Sequence, residues 1–298
     1  MTDTLHRFTF DGLPMRGQWV RLQGVLADAT ANRKYPDAIS ELLAKQLAAV
    51  SMFADSLKFQ GAVALQSKGD GALIRSLAEC REQHKLRGIA HLDEELPLPG
   101  DANLSSWLGN GQLALSLIDQ ESGQMLHQGM IELAHADLAT NLEHYFAQSE
   151  QLPTLLFFAL TEKQTKTETD ASVTGLLLQR LPEQEDASEV QLDLHENAWH
   201  TACTLAATLE PAELANLEPT ALLRRLFAEF HCRLHPPRNL AYACTCSRGK
   251  SDRTLLTLSD EELDGLLVEQ TTITVDCEFC AERYHYDAVD IGALKANR

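Results

Sequence analysis

CTCSRGK, at Cys244–Lys250, is the most informative stretch of this sequence, because it sets two cysteines only one residue apart. A second pair stands further along the chain in CEFC, at Cys277–Cys280. Four thiols in two pairs within a short segment are typical of a tetrahedral zinc site, where the metal supplies folding free energy that a small core cannot. We therefore predict that residues 244–298 form a small four-cysteine zinc module.

The spacing of Cys244 and Cys246 is tighter than the gap of about two to four residues that is usual in structural zinc sites. A disulfide between these two thiols would close a very small ring, and strained disulfides are easily reduced again. Metal ligation also keeps sulfurs deprotonated, and thiolates are the form that oxidants attack. The spacing therefore favours a reversible redox element, while a zinc ion that only stabilises the module is the alternative interpretation.

The composition is that of a globular protein with a strong negative charge. Of the 298 residues, 44% are apolar and 23% are charged, and the formal net charge is -18. Such a charge disfavours nucleic acid and anionic membrane surfaces as partners. The N-terminal MTDTLHRFTFDG has no apolar run behind a basic start, and no segment approaches the roughly 18 apolar residues of a membrane span. We expect a cytoplasmic protein with neither kind of partner.

The chain up to about Pro182 alternates helix-like and strand-like stretches. PDAISELLAKQLAAVSMFADSL spaces its apolar residues as an amphipathic helix that begins at Pro36 and Asp37. GAVALQSKGDGALIRSL predicts two strands around a turn at KGDG, and DLATNLEHYFAQS predicts a helix over about 137–149. These patterns indicate an α+β domain, residues 1–183, with a largely antiparallel sheet and helices.

The character of the sequence changes after Pro182. EQEDASEVQLD is acidic and has no periodic apolar pattern, which predicts a domain boundary. LHENAWHTACTLAATL and PTALLRRLFAEFHCRL then predict two amphipathic helices, at 194–209 and 220–235, the second of which ends before two prolines. Neither helix can bury its apolar face alone. We predict a metastable helical linker region at 184–243 that packs on another part of the protein.

The C-terminal module has its own secondary-structure pattern. Ser259 and Glu262 form a predicted capping box at the beginning of a helix. TTITVD and RYHYD alternate as two strands on either side of CEFC, and AVDIGALKA predicts a last helix. His285, within RYHYD, is interpreted as a strand residue because four thiolates already complete a zinc tetrahedron.

Taken in order, these motifs resemble a known family. CTCS, LSDEEL, and CEFC followed by YHYDAVDI are similar to the redox-switch domain of the bacterial redox-regulated heat-shock chaperones, zinc-binding holdases of about the mass of this chain, 33.0 kDa. The resemblance extends upstream through PMRGQWV, SLKFQGAVALQSKGDG, LRGIAHL, GNG, YFAQSEQLPT and GLLLQRLP. It covers nearly the whole chain.

The resemblance implies a specific redox mechanism. Cys244, Cys246, Cys277 and Cys280 would hold one zinc ion per chain in a reduced, inactive form. Oxidation would form a disulfide within each pair and release the zinc, after which the linker region would unfold and bind unfolded or partially unfolded client proteins without ATP. A homodimer would accompany activation. The resemblance therefore implies a chaperone rather than an enzyme.

Apolar residues of the predicted linker helices are the candidates for client contact. They are equally suited to ordinary packing, and the sequence does not separate the two uses. The candidates are Trp199, Leu223, Phe227 and Phe230.

Three further cysteines lie outside the two pairs. Cys80 and Cys203 stand among apolar residues and are expected to be inert core thiols. Cys232 lies between His231 and His235 in HCRLH, where the three could serve as spare ligands or a resolving thiol, or could be ordinary surface residues of the linker.

Two other functions are compatible with paired cysteines. A thiol-disulfide oxidoreductase would use Cys277 and Cys280, but such enzymes place C-x-x-C at the beginning of a helix that follows a strand. Here the pair lies between two predicted strands. A zinc ribbon that binds nucleic acid is disfavoured by the net charge of -18.

Overall fold

The described residues of this computed structural model are 3–56, 61–119, 122–161, 171–183 and 187–296. Contacts between residues divide the chain into two compact units, Met1–Tyr242 and Ala243–Arg298. Both units mix helices with antiparallel strands, so the predicted α+β class is confirmed. The domain boundary predicted after Pro182 runs into residues 184–186, which lie outside the described residues.

The first unit contains the larger set of strands and helices. Its strands are β1 (Thr4–Phe10), β2 (Met15–Leu22), β3 (Gly61–Lys68), β4 (Leu73–Arg81), β5 (Lys85–Leu92), β6 (Gln112–Asp119), β7 (Met125–Ile131), β8 (Thr154–Thr161), β9 (Ser172–Arg180), β10 (Cys232–Leu234), β11 (Arg238–Asn239) and β12 (Ala241–Tyr242). Its helices are α1 (Gly24–Thr30), α2 (Asp37–Ser56), α3 (Leu104–Leu108), α4 (Leu138–Gln148), α5 (Glu189–Ala206), α6 (Pro211–Asn216) and α7 (Pro219–Leu226).

These strands form two sheets rather than one. The first sheet has the order β10-β1-β2-β9-β8, with β11 also paired to β1, and its neighbours are antiparallel. The second has the order β12-β5-β4-β3-β6-β7, antiparallel except for the short parallel pair of β12 and β5. Helix α2 contacts strands of both sheets and fills the main core between them.

A second apolar core lies on the other face of the first sheet. Because side chains alternate along a strand, β1 turns Leu5 into the main core and Phe8 and Phe10 into this second core. Helices α5, α6 and α7 cover it with their own apolar faces. Gly17 leaves room for the ring of Phe8, since a Cβ there would lie only 2.0 Å from that ring.

The second linker helix is shorter than the sequence predicts. The expected helix at 220–235 ends at Leu226, and Cys232–Leu234 forms the strand β10. Strand β10 pairs with β1, so that Phe10 lies opposite Cys232. The edge of β1 offers backbone hydrogen bonds to this segment, and that pairing outweighs the helical spacing of its apolar residues.

The first linker helix begins earlier than predicted. Helix α5 begins at Glu189 rather than at residue 194, because Ser188 and Gln191 form a capping box. The sequence prediction did not identify this capping box within the acidic stretch. The helix predicted over 137–149 is confirmed as α4, where the Asp137 side chain accepts a hydrogen bond from the Thr140 backbone N–H.

The second unit is small. It contains α8 (Arg248–Leu255), α9 (Asp260–Glu269), β13 (Ile273–Asp276), β14 (Arg283–Tyr286) and α10 (Ala288–Ala296). The predicted capping box of Ser259 and Glu262, the two-stranded ribbon and the last helix are all confirmed. Among its described residues, the buried apolar side chains are Leu255, Leu263, Ile273, Tyr286 and Ile291.

Candidate metal centre

The four cysteines of the two pairs come together in the second unit. Cys244 and Cys246 lie on the segment before α8, and Cys277 and Cys280 lie on the turn between β13 and β14. Their four Sγ atoms lie within 4.8 Å of one another, with 3.6 Å between Cys244 and Cys277 and 3.4 Å between Cys246 and Cys280. Zinc–sulfur bonds of about 2.3 Å in a tetrahedron give sulfur–sulfur edges of about 3.8 Å. The donor set therefore fits one tetrahedral zinc ion.

The C-x-x-C turn is shaped by its own backbone. The Cys277 N–H donates to the Glu282 carbonyl at 2.8 Å, and the Ala281 N–H donates to the Cys277 carbonyl at 2.8 Å. Ala281 has a φ of 58°, in the left-handed region. This conformation is uncommon for a residue with a Cβ and is typical of tight turns. This geometry folds the turn so that the Phe279 and Cys280 N–H groups point at the Cys277 sulfur.

These backbone donors change the chemistry of the thiols. Burial acts to raise the pKa of Cys277, but hydrogen bonds from the Cys280 and Phe279 N–H groups and from neighbouring thiols lower that pKa below its ordinary value. Burial raises the pKa of Cys244, and burial together with the surrounding thiols raises the pKa of Cys280. Negative charge is therefore held best at Cys277, where the turn supplies N–H donors to a thiolate.

The C-x-C half is positioned by a helix and a lysine. Ser247 caps α8 by accepting a hydrogen bond from the Lys250 backbone N–H. The Lys250 Nζ then reaches back and donates to Thr245 at its carbonyl, 2.7 Å, and its Oγ1, 3.0 Å. The lysine thus holds the residue between the two cysteines and brings a positive charge to a cluster that carries about -2 with a dication bound.

Two residues near the cluster were not identified from the sequence. Lys250 could have been identified from the sequence, because Ser247 is a good N-cap residue. A helix that begins there places Lys250 in its first turn, close to the C-x-C segment. Tyr284 of β14 hydrogen-bonds to the Cys246 sulfur, which raises the pKa of its phenol. No sequence signal identifies Tyr284, because the contact depends on how β14 lies relative to the C-x-C segment.

The other three cysteines, Cys80, Cys203 and Cys232, belong to the first unit. Burial raises the pKa of Cys80 to about 12, and it raises the pKa of Cys203 and of Cys232 to about 11. Such thiols are almost entirely protonated at neutral pH and react slowly. This agrees with the expectation of inert thiols at Cys80 and Cys203.

The histidines considered as spare ligands have other surroundings. Within the described ranges, the one group of side chains that could hold a metal is the four-cysteine set, which includes neither His231 nor His235. His235 lies on the first unit with Nε2 3.1 Å from the Thr9 Oγ1. His285 is a strand residue, as predicted, with Nδ1 3.1 Å from the Thr274 Oγ1.

The residues predicted to contact clients lie in the second core. Trp199, Leu223 and Phe227 are 7%, 5% and 1% exposed, and Phe230 is partly buried beside them. The Phe227 ring packs 5.2 Å from Phe10, and the Phe230 ring packs 5.5 Å from Phe10. In this arrangement all four face the first sheet, so a role in client binding requires the helices to leave it.

Among the described helices, none is long and apolar enough to cross a membrane.

Comparison with known proteins gives consistent matches along the chain. A family model described as Hsp33 protein matches residues 3–287. The 33 kDa chaperonin of Ectopseudomonas mendocina is 37% identical over 297 residues, which cover 99% of this chain and 96% of that protein. The 33 kDa chaperonin of a Neisseria meningitidis strain is 37% identical over 292 residues, 98% of this chain and 91% of that protein.

A solved structure shares the fold. The crystal structure of the 33 kDa chaperonin, a heat shock protein 33 homolog, from Thermotoga maritima matches with a TM-score of 0.81 and covers 99% of both chains. The sequence identity in that comparison is 21%, so the match speaks for the architecture alone.

Proposed function

This chain belongs to the Hsp33 family, and from that premise we propose that it is a redox-regulated, ATP-independent holdase. In the reduced state Cys244, Cys246, Cys277 and Cys280 bind one zinc ion, and the protein is inactive. Oxidation releases the zinc and frees apolar surface that binds unfolded or partially unfolded proteins. The observation that carries this proposal is the convergence of the four thiols in a unit with little other core.

The redox step balances within each pair. In each pair two cysteine thiolates would give two electrons to hydrogen peroxide and form one S–S bond, while the peroxide O–O bond breaks and two protons are taken up to leave two molecules of water. We assign the bonds within Cys244–Cys246 and within Cys277–Cys280, following the family resemblance. The sulfur distances of 3.6 and 3.4 Å run across the pairs, but in a tetrahedral set all edges are similar in length, so these distances do not select a pairing.

Loss of the metal destabilises the second unit far more than the first. A structural zinc site contributes on the order of 10 kcal/mol, and the second unit buries few apolar side chains of its own. The N–H groups of the turn beside the Cys277 sulfur and the lysine at the C-x-C segment would stabilise thiolates, which are the form that oxidants attack. Oxidation is therefore proposed to unfold this unit first.

The response is proposed to lie in the linker helices. Helices α5, α6 and α7 cover an apolar face of the first sheet, so their release would expose both their own apolar residues and that face. Trp199, Leu223, Phe227 and Phe230 would then be available to clients. Exposed apolar surface binds other exposed chains without side-chain specificity, which suits a holdase.

Several further properties follow as part of the same proposal. The protein would work in the cytoplasm, form a homodimer on activation, and bind neither nucleic acid nor membranes. The net charge of -18 disfavours binding to nucleic acid and anionic membranes. The same charge would keep the protein soluble while it carries aggregation-prone clients.

Thiol-disulfide oxidoreductase activity is the alternative function. Cys277 and Cys280 lie on a turn between β13 and β14, not at the beginning of a helix. The helix terminus that lowers the pKa of the attacking cysteine in such enzymes is therefore replaced here by N–H groups of a turn. This arrangement favours metal binding over rapid disulfide turnover.

A zinc and activity measurement tests the proposal directly. The reduced protein is expected to hold one zinc per chain and to give no protection to a thermally aggregating client. Peroxide treatment should release the zinc, consume four thiols and confer protection. Equal protection by the reduced zinc form would contradict the redox switch, and rapid insulin reduction would favour the oxidoreductase.

A further inference from the structure

A short segment fastens the linker helices to both sheets of the first unit. We call residues 232–242 the strap. Its strands β10 and β11 pair with β1 in the first sheet, and β12 pairs with β5 in the second. Leu240 within the strap is buried in the main core. The strap ends at Tyr242, just ahead of the first metal-site cysteine, so it joins the proposed sensor to the proposed response in the chain.

A buried carboxylate lies against the strap. Asp55, near the end of α2, has a side chain that is 1% exposed. Gln18 donates from Nε2 to its Oδ2 at 2.8 Å, and the Arg7 Nε lies 3.4 Å from the same oxygen. Arg238 of the strap places NH1 3.1 Å from Oδ1, and no hydrogen bond from the described part of the chain reaches that oxygen. Arg238 therefore compensates one side of a charge that is shielded from water.

The same arginine makes a second contact with the first unit. Its NH1 donates to Gln83 Oε1 at 2.6 Å, in the connection between β4 and β5. The other ion pair of the strap is different in kind, because Arg233 and Asp11 are 3.5 Å apart and both are largely exposed. Exposed pairs contribute little, whereas removing Arg238 takes the counter-charge away from the Oδ1 side of the buried Asp55 carboxylate. Of these two ion pairs, that of Arg238 therefore contributes more to holding the strap, beside the strand pairing and the burial of Leu240.

We propose that the Asp55–Arg238 pair is a latch that keeps the strap, and through it helices α5 to α7, on the first unit in the resting protein. The inference rests on the proposed function, since it assigns activation of the holdase to release of these helices. Unfolding that spreads along the chain from the cysteines must pass through the strap before it reaches α7. Because departure of Arg238 would leave the buried Asp55 carboxylate less compensated, the latch opposes release of the strap until loss of the metal has destabilised the second unit.

Hydrogen exchange on the full-length, reduced, zinc-loaded protein tests the latch. In Arg238→Gln and in Asp55→Asn, amides of the strap and of α5 to α7 should exchange at least tenfold faster than in wild type. Amides of β3, β4 and β6 should keep their wild-type rates. Both variants should also reach full client protection after a shorter oxidation. If Asp55→Asn does not fold, Arg238→Gln alone tests the latch, because this substitution lies on the strap itself.

Two variants serve as matched comparisons. Arg238→Lys keeps the positive charge and should restore slow exchange in the strap, which a merely steric role of the arginine would not predict. Arg233→Gln removes the exposed pair from the same strap and should behave as wild type.

The outcomes separate the latch from the proposed function. Wild-type exchange of the strap in Arg238→Gln, or an equal loss of protection in β3, β4 and β6, would overturn the latch. Faster exchange with an unchanged activation time would also overturn its regulatory role. If no form of the protein protects a client in any redox state, the proposed function fails, while the exchange rates still decide whether the pair holds the strap.

Discussion

At the scale of single residues, the surroundings of each thiol divide the cysteines of this chain into two classes. Cys80 is buried and Cys203 and Cys232 are partly buried, and this burial raises their pKa to about 12 for Cys80 and about 11 for the other two. Cys277 receives backbone N–H donors that stabilise its thiolate. Oxidants attack thiolates, so oxidation should be confined to the metal centre while the thiols of the first unit remain reduced.

Replacing one ligand should abolish the metal site. In Cys246→Ser, three thiolates and a hydroxyl face the metal, and a hydroxyl is a poor zinc ligand at neutral pH. Substituting a residue that only hydrogen-bonds to a metal ligand costs about 10- to 100-fold in metal affinity, so loss of a direct ligand should cost more than about 100-fold. Competition with a chromophoric chelator measures this.

The matched control for that variant is Cys203→Ser, which changes a thiol of the first unit and should leave zinc affinity unchanged. A Cys246→Ser protein that bound zinc normally and still responded to peroxide would show that the ligand set is wrong.

The cluster of four cysteines could be predicted from the sequence, whereas Tyr284 beside it could not. Two close pairs of cysteines within a short segment are typical of a metal site. Lys250 has a local signal in the Ser247 cap of α8, but the contact of Tyr284 with Cys246 depends on the position of β14. That position is set by the folded module, and no local sequence pattern encodes it.

At the scale of helices and strands, the linker helices are attached by a small aromatic cluster. Phe227 lies 5.2 Å from the Phe10 ring and 6.1 Å from the Phe8 ring, and it is 1% exposed. Phe227→Ala should cost about 3–5 kcal/mol at this contact. Because the loss falls on the attachment of α5 to α7, the reduced variant should protect clients from aggregation more than reduced wild type does.

Phe146→Ala is the matched control for Phe227→Ala. Phe146 is also buried and packs against Phe53 with ring centroids 4.9 Å apart, but it belongs to the main core. It should lower stability by a similar amount without activating the reduced protein. Equal activation by both variants would show that general instability, rather than release of the linker helices, exposes the client surface.

Prediction of elements succeeded where a local signal exists. The capping box of α9 and the ribbon around CEFC are encoded in neighbouring residues and are confirmed. The helix expected at 220–235 was wrong beyond Leu226, because β10 forms by pairing with β1 near the other end of the chain. Periodicity reports which residues are buried, but it does not report a distant strand edge.

At the scale of the whole molecule, two units of unequal size divide the tasks. The first unit holds two cores, one on each face of its first sheet, whereas the described part of the second unit has one small core of five buried apolar side chains. The division into domains predicted at 1–183, 184–243 and 244–298 remains a prediction. The compact units meet at residues 242 and 243, close to the predicted start of the zinc module.

Removal of the metal from the reduced protein should unfold the second unit selectively. Zinc contributes on the order of 10 kcal/mol to such a module, and its small core cannot replace that amount. After chelation, hydrogen exchange in 243–298 should become fast while β2, β3 and β9 stay protected. Zinc should restore the protection and magnesium should not, since magnesium prefers oxygen ligands. Retained protection without metal would mean that the module folds on its own core.

The position of β1 within its sheet has one more consequence. β1 lies between β2 on one side and β10 with β11 on the other. If the strap departs, the outer edge of Thr4–Phe10 loses the strands that now cover it, and its backbone N–H and C=O groups turn to solvent. An open strand edge pairs with any extended chain that presents its own backbone. Departure of the strap would therefore expose an edge for strand addition beside the freed apolar surface. Clients would then be selected by whether they contain extended segments as well as by their hydrophobicity.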